Sequence, residues 1–317
     1  MDEGRKKEFI ALIRDASPPL PVSAPPALEP AWEALVFPGA QSPLRGIRAV
    51  LFDIYGTLFS SAAGEIGFGG DYPPEDLDAL AAKYVPGCTG KELNGFFRQK
   101  VRQAHARLYP HTRYPEVKVE EIWAALFAGP LARYKAAAIS PEEFALRYEL
   151  AVNPVFPNPG IPELFKKLTI SGITLGLISN AQFFTPLLFE AFWDAPAEAL
   201  GCDPRILLYS YEWGEAKPSP VLFEKAAAEL NSRGIPPEAA LFVGNDMLND
   251  ISAAASRGFQ TALFAGDARS LRLREAPLLR PGRIIRSLSD IPALVGRRLE
   301  NLFQYEYGIE RRYYGKD

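Results

Sequence analysis

Apolar and polar positions along the chain follow two rhythms. Short, nearly unbroken apolar runs alternate with longer stretches whose apolar residues recur every three or four positions. The run from Ile47 to Tyr55, IRAVLFDIY, is almost continuous, and similar runs occur at Ile173–Ser179, Ile206–Ser210, Ala240–Gly244 and Thr261–Ala265. Such runs predict strands buried on both faces, as in a parallel sheet. Helical spacing separates them. Pro162 to Leu168 opens with a proline suited to a first helical turn. Leu222, Phe223, Ala226 and Leu230 lie on one helical face that ends before Gly234. Strands alternating with helices predict an α/β fold with a doubly wound parallel sheet.

The rhythm breaks between residues 62 and 157, where no strand is expected. Thr89-Gly90-Lys91-Glu92 reads as a capping box, followed by Leu93, Phe96, Phe97, Val101, Ala104 and Leu108 on one helical face. Ser140-Pro141-Glu142-Glu143 reads as a second box, leading into Phe144, Tyr148 and Leu150. This predicts an α-helical domain, 62–157, inserted into a core formed by 46–61 and 158–296. Before the core, residues 5–15 form an amphipathic helical segment. The proline-rich stretch Ser17 to Pro30 then reads as an extended arm, giving an N-terminal region of 1–45. A tail, 297–317, carries Tyr305, Tyr307, Arg311, Arg312, Tyr313 and Tyr314. Arm and tail are the candidates for contact with a protein partner or with the chain's own body.

Composition narrows the function. The chain has 35 basic and 38 acidic side chains, a formal net charge of -3. This mild balance predicts neither a nucleic-acid nor an anionic-membrane footprint. Two cysteines, Cys88 and Cys202, form no C-x-x-C pair, and two free thiols in a reducing compartment is the simpler reading. The start, MDEGRKKEFIALIRDAS, lacks the apolar core of a signal peptide, and no segment approaches a membrane span. The expectation is a cytoplasmic protein acting on a small molecule. No P-loop or dinucleotide fingerprint occurs. A Ser-His-Asp triad would need His105 or His111, both within the insertion.

In an open parallel sheet, ligands bind beyond the carboxyl ends of the strands. Asp53-Ile54-Tyr55-Gly56-Thr57-Leu58 follows the first core strand, and Ser179-Asn180 the second. Lys217-Pro218 follows the third by about a turn. Gly244-Asn245-Asp246 ends the fourth, with Asp250 close behind. A carboxylate, a hydroxyl, a lysine and an acidic pair are the equipment for displacement at a phosphoryl group.

In these four motifs, and in an insertion right after the first, the chain resembles the haloacid dehalogenase (HAD) superfamily. The resemblance implies a Rossmann-like core with a helical cap. It implies that Asp53 is a covalent nucleophile, and that Ser179 and Lys217 are catalytic, holding the transferring group. It implies substrate contacts from Tyr55, Gly56, Thr57 and Asn180. It also implies an Mg²⁺ site built from Asp53, the backbone carbonyl of Tyr55, Asp246 and Asp250, the last as ligand or as orienting group. Oxygen donors suit this hard ion.

Tyr55 departs from the phosphatase pattern, in which a second aspartate carries protons at that position. A phenol with a pKa of about 10 is poorly matched to that task near neutral pH. Tyrosine here is similar to the 2-haloacid dehalogenases, whose halide leaves without a proton. Those enzymes need no metal and use a cap arginine about thirty residues after the nucleophile. That window holds Lys83 and Tyr84 here, with Arg98 the nearest following arginine. The acidic fourth motif favours an Mg²⁺-dependent phosphatase or phosphotransferase acting on a small phosphorylated metabolite. A 2-haloacid dehalogenase and a non-catalytic HAD-fold binding protein are the alternatives. In the insertion, Phe96, Phe97 and Trp123 are expected in the helical core and not at a substrate wall.

Overall fold

A computed structural model of the protein describes residues 1–20, 24–38, 42–61, 74–134, 137–274 and 279–296. The Tyr- and Arg-rich tail and part of the proline-rich arm lie outside the described residues.

The chain opens with helix α1 (Glu3–Asp15) and a short α2 (Pro30–Glu33), then strands β1 (Val36–Phe37), β2 (Ala49–Phe52) and β3 (Phe59–Ser61). Four helices follow: α3 (Pro74–Tyr84), α4 (Gly90–Leu108), α5 (Val119–Ala128) and α6 (Pro141–Val152). Strand β4 (Val155–Pro157) leads back to α7 (Ile161–Ile170), β5 (Thr174–Ser179), α8 (Leu187–Trp193), β6 (Cys202–Tyr209), α9 (Ser210–Trp213) and α10 (Val221–Asn231). The last part holds β7 (Ala240–Gly244), a π-helical turn Met247–Ser252, α11 (Ala253–Ala255), β8 (Gln260–Phe264), β9 (Arg283–Ile285) and α12 (Ile291–Leu294).

Seven of the described strands form one parallel sheet, in the order β1-β9-β8-β7-β2-β5-β6. The continuous apolar runs explain its centre. All four residues of β2 and all five of β7 are buried. Val50 and Phe52 of β2 pack on one face, where the Phe52 ring lies 5.4 Å from Phe165 of α7. Ala49 and Leu51 pack on the other, against Leu222, Phe223, Ala226 and Leu230 of α10. Apart from the edge strand β1, chain order runs outward from β2 in both directions, so its carboxyl end is the topological switch point.

Three elements depart from the expectation. Strand β1 lies in the predicted arm yet pairs with β9, so the sheet recruits residues well before Gly46. Strand β4 falls within the stretch expected to lack strands, and pairs antiparallel with β3. It has three residues, one a proline, and so carries no period-2 signal. Strand β9, again three residues, follows Arg280-Pro281-Gly282 and is too short to show a period. The β3–β4 ribbon is where the chain leaves and re-enters the sheet domain.

Helices α3–α6 pack around stacked aromatics. Phe97 and Trp123 lie 5.0 Å apart, and Trp123 lies 4.6 Å from Phe144 and 4.9 Å from Tyr148. Phe97 and Trp123 are buried as expected, while Phe96 lies at the edge beneath the Arg133 guanidinium. The Thr89 capping box forms in full. The Ser140 box is only half made. Ser140 accepts the Glu143 N–H, but the Glu143 carboxylate turns to Arg147, and Arg5 of α1 reaches the Ser140 hydroxyl. Both cysteines are free thiols and buried.

The N-terminal helix packs against two regions. Phe9 and Ile13 are buried in the main core. Arg14 donates to the Ala191 and Glu190 carbonyls of α8, and Lys6 pairs with Glu190 at 2.8 Å. Arg5 reaches instead to Ser140 and Glu142 at the start of α6. No helix among the described residues is long and apolar enough to cross a membrane.

Candidate active site

The four motifs converge at the carboxyl edge of the sheet. Asp53 continues the β2 ladder, its N–H donating to the Val243 carbonyl of β7 at 2.9 Å. The chain then turns sharply. The Phe59 N–H returns to the Ile54 carbonyl and the Gly56 N–H to the Phe59 carbonyl, with Gly56 at φ +85°. A Cβ at Gly56 would lie 2.4 Å from Asn245 Nδ2, so only glycine fits both the dihedral and the space. The turn brings Thr57 against the fourth motif, where its hydroxyl donates to Asn245 Oδ1 at 3.2 Å. The Asn245 amide in turn donates to the Ser270 carbonyl.

Asp53 is 5% exposed and is held by two neighbours. The Ser179 hydroxyl, at the end of β5, donates to Asp53 Oδ1 at 2.9 Å, and Lys217 Nζ reaches the same oxygen at 2.7 Å. Among the described residues all its side-chain bonds fall on Oδ1, leaving Oδ2 without a protein donor. Asn180 fixes the lysine: its amide oxygen accepts the Lys217 N–H at 2.6 Å and its amide nitrogen donates to the Lys217 carbonyl. Both ends of the Asn180 side chain are therefore spent on positioning.

Lys217 Nζ also meets Asp250 Oδ1 at 2.5 Å and the Ile178 carbonyl. Burial alone would push this ammonium down, but the Asp250 and Asp53 carboxylates outweigh it and hold the lysine above its ordinary range. Asp250 Oδ2 accepts the N–H groups of Asn245 and Asp246, each at 3.0 Å. Both oxygens of Asp250 are thus committed, an orienting arrangement and not that of a ligand. Gly244 permits it, since a Cβ there would lie 2.5 Å from the Asp250 side chain.

Asp246 caps the π-helical turn, accepting the Leu248 and Asn249 N–H groups. It also carries the guanidinium of Arg274, whose Nε lies 3.1 Å from both carboxylate oxygens and whose terminal nitrogen bonds Oδ2. Sequence reasoning missed Arg274. It comes 28 residues later, brought in because residues 270–274 run beside the fourth motif through the Arg272–Asn245 and Met247–Arg272 backbone bonds. No local pattern signals that pairing.

Tyr55 is 4% exposed, and its phenol shares a 3.0 Å hydrogen bond with Thr185. Burial first, and the charge of Glu149 next, hold it well above its ordinary range. This phenol stays protonated and supplies no titratable group near neutral pH.

The donor set fits a divalent cation in one respect. Asp53 Oδ2 and the buried Tyr55 carbonyl, to which no described group donates, are hard oxygens without partners, while the Asp246 carboxylate would become a third donor only by giving up its Arg274 contacts. Three buried carboxylates face one buried ammonium and one partly exposed guanidinium, Arg274, so negative charge is in excess at this edge. Among the described residues no three carboxylate, imidazole or thiolate side chains gather around one point, which agrees with Asp250 being spent elsewhere. A cleft of about 740 Å³ opens beside the β3–β4 ribbon, with Phe156, Trp193 and Arg286 in its walls, and none of the motif residues lines it. His105 and His111 lie on α4 and just after it, away from these motifs in the chain.

Comparison with known proteins identifies the family and the fold. A sequence model described as haloacid dehalogenase-like hydrolase covers residues 47–258. The chain belongs to the haloacid dehalogenase-like hydrolase family. The Rhythmically expressed gene 2 protein of Drosophila melanogaster is 24% identical over 234 residues, covering 69% of this chain and 84% of that protein. Among solved structures, a 2-haloacid dehalogenase from Pseudomonas syringae pv. Tomato is 19% identical, covering 79% of this chain and 99% of that one, with a TM-score of 0.53. A HAD phosphatase from Thermococcus onnurineus is 18% identical, covering 80% and 99%, with a TM-score of 0.49. At such identity the likeness is one of fold. The HAD-like core thus spans the stretch from β2 to the end of α11, while α1, β1 and β9 lie outside the matched residues.

Proposed function

We propose that this HAD-like hydrolase is a phosphatase or phosphotransferase that transfers a phosphoryl group to Asp53 from a small metabolite with a good leaving group. The observation that carries the reading is the acidic fourth motif. Asp246 lies at the end of β7, the strand paired with β2, and supplies a second carboxylate beside Asp53.

An Asp53 carboxylate oxygen attacks phosphorus, and the bond to the leaving oxygen breaks with its electron pair. Water then attacks the acyl phosphate, releasing phosphate and restoring the carboxylate. Lys217 and Ser179 hold Asp53 and stabilise the charge that develops on the transferring group. Asp250 and Asn180 keep the lysine in place. Asp53, Asp246 and the Tyr55 carbonyl would hold Mg²⁺, which when bound neutralises phosphate charge.

The leaving group is the specific point. Position 55 offers no carboxyl, and its phenol is buried against Thr185. An alkoxide leaving group needs a proton, whereas the carboxylate or phenolate released from an acyl or aryl phosphate is a stable anion. The preferred substrates are therefore activated phosphates. A turnover panel of acyl, aryl and alkyl phosphates, with and without Mg²⁺, tests the reading. Mg²⁺-dependent release favouring activated phosphates is expected. Metal-independent halide release from 2-haloacids with no phosphate release would overturn it.

A further inference from the structure

The seam between the helical insertion and the sheet domain centres on a buried side chain, Glu116, that the chemistry at Asp53 does not use. Glu116 lies in the connection between α4 and α5. Its carboxylate joins the two loops that carry the second and third motifs. Ser210, the residue after β6, bonds Glu116 Oε2 at 2.6 Å, and Gln182, three residues after Ser179, donates to Oε1 at 3.2 Å. Gln182 also donates to the Val117 carbonyl and accepts the Val119 N–H. Backbone pairing continues the seam: Glu116 N–H donates to the Gly214 carbonyl and Ala216 N–H to the Tyr114 carbonyl, immediately before Lys217. The Gln182 N–H donates to the Thr185 hydroxyl that meets Tyr55, so the seam reaches the first motif as well.

We propose that Glu116 is a proton-linked latch that holds the insertion closed over the Asp53–Lys217 site and lets it open when the carboxyl ionises.

The hydrogen bonds allow both settings. The Ser210 hydroxyl accepts the Ala181 N–H at 2.9 Å and lies 3.2 Å from the Ala181 carbonyl. When Glu116 is protonated, its O–H donates to Ser210, and Ser210 donates onward to that carbonyl. When Glu116 is ionised, Ser210 must donate to it instead. Burial pushes the Glu116 carboxyl up to about 7, against the pull of Ser210, the Val117 N–H and Gln182. The titratable and charged side chains on the packed elements are Arg113, Tyr114 and Lys118 beside it, Glu120 and Glu121 of α5, Tyr209 of β6, Tyr211 and Glu212 of α9, and Glu215 and Lys217 of the following loop. None is bonded to Glu116. Lys217 is committed to Asp53 and Asp250, and Tyr211 to Glu212. All of the carboxyl's partners are neutral groups, so no cation favours its ionised form.

The sign follows. A carboxyl with a raised pKa in the closed state and an ordinary one in the open state favours closure below about 4.5. That preference is lost as pH rises to about 7 and changes no further above it. The opening constant should rise roughly tenfold per pH unit within this window, about 300-fold in all.

Hydrogen–deuterium exchange of the intact protein, corrected for the intrinsic pH dependence of exchange, reads this at residues 114–118 and 180–186. Wild type should lose protection from pH 5 to 7 and level off above. Glu116→Gln, whose amide can donate to Ser210 as the protonated acid does, should stay protected throughout. Ser210→Ala, which removes the acceptor, should open at low pH and flatten the slope. A wild type without slope, or an unchanged slope in Glu116→Gln, overturns the latch. The proposal rests on the insertion being a movable cap. Exchange needs no substrate, so a phosphatase assay that fails leaves this result readable by itself.

Discussion

The Lys217 ammonium lies 2.7 Å from the Asp53 carboxylate, with both side chains almost wholly removed from water. A second carboxylate, Asp250, shares the same ammonium. Lys217→Met therefore strands two buried negative charges, while Asp53→Asn removes one of them. Lys217→Met should cost about 3–5 kcal/mol of stability and about 10²-fold or more in turnover. Asp53→Asn should abolish turnover yet hold stability to within about 1 kcal/mol, since it relieves carboxylate repulsion beside Asp250. Urea denaturation and steady-state kinetics on both variants check the contrast.

Tyr55 gives a pair of opposed expectations. Its phenol bonds Thr185 and carries no proton to the reaction, so Tyr55→Phe should leave the pH profile of turnover unchanged and cost about 1 kcal/mol of stability. Tyr55→Asp should supply the missing acid and raise turnover of alkyl phosphates by about 10²–10⁴-fold. It should also destabilise by about 3–5 kcal/mol, because a small carboxyl replaces a buried ring. Kinetics with alkyl phosphates beside thermal melts separate the two effects.

Arg274 occupies the carboxylate that the proposed cation would share. Arg274→Ala should lower the Mg²⁺ concentration for half-maximal turnover by about fivefold, equivalent to roughly 1 kcal/mol for a partly exposed pair. The activity–Mg²⁺ titration reads this directly, and a rise in the required concentration would mean that the arginine serves the substrate instead.

Glu149 makes stability depend on pH. It is 7% exposed at the end of α6, and burial pushes its carboxyl up to about 7, against the Asn153 amide that donates to it. Folding favours the neutral form. The stabilisation is complete below about 4.5 and lost as pH rises to about 7. Glu149→Gln should be more stable than wild type at pH 8 by on the order of 2–3 kcal/mol and nearly equal to it at pH 5, by urea denaturation at both values.

Long, strongly patterned segments were legible and short ones were not. Strands β2, β5, β7 and β8 are continuous apolar runs because both faces are buried. The first, second and fourth motifs follow β2, β5 and β7 and the third follows β6, so Asp53, Ser179, Lys217, Asp246 and Asp250 could be brought to one edge from the strand order. Strands β1, β4 and β9 have two or three residues, too few for any period, and exist because a neighbouring edge offers hydrogen bonds. The committed side chains were illegible for a related reason. Asn180 spends its amide on Lys217, Asp250 on two backbone N–H groups, and Thr57 on Asn245. Each is a tertiary partner that the local sequence does not announce. Arg274 and Glu116 belong to none of the four motifs, and only the folded contacts reveal them.

The helix α1 touches both α8 of the sheet domain and the start of α6, where Arg5 reaches Ser140 and Glu142. It also lies before residue 47, where the family match begins. The helical insertion is therefore not an interchangeable module. A chimera that grafts another family member's insertion between β3 and β4 would leave Arg5 facing foreign side chains, and a faithful transplant must carry the first turns of α1 along with it.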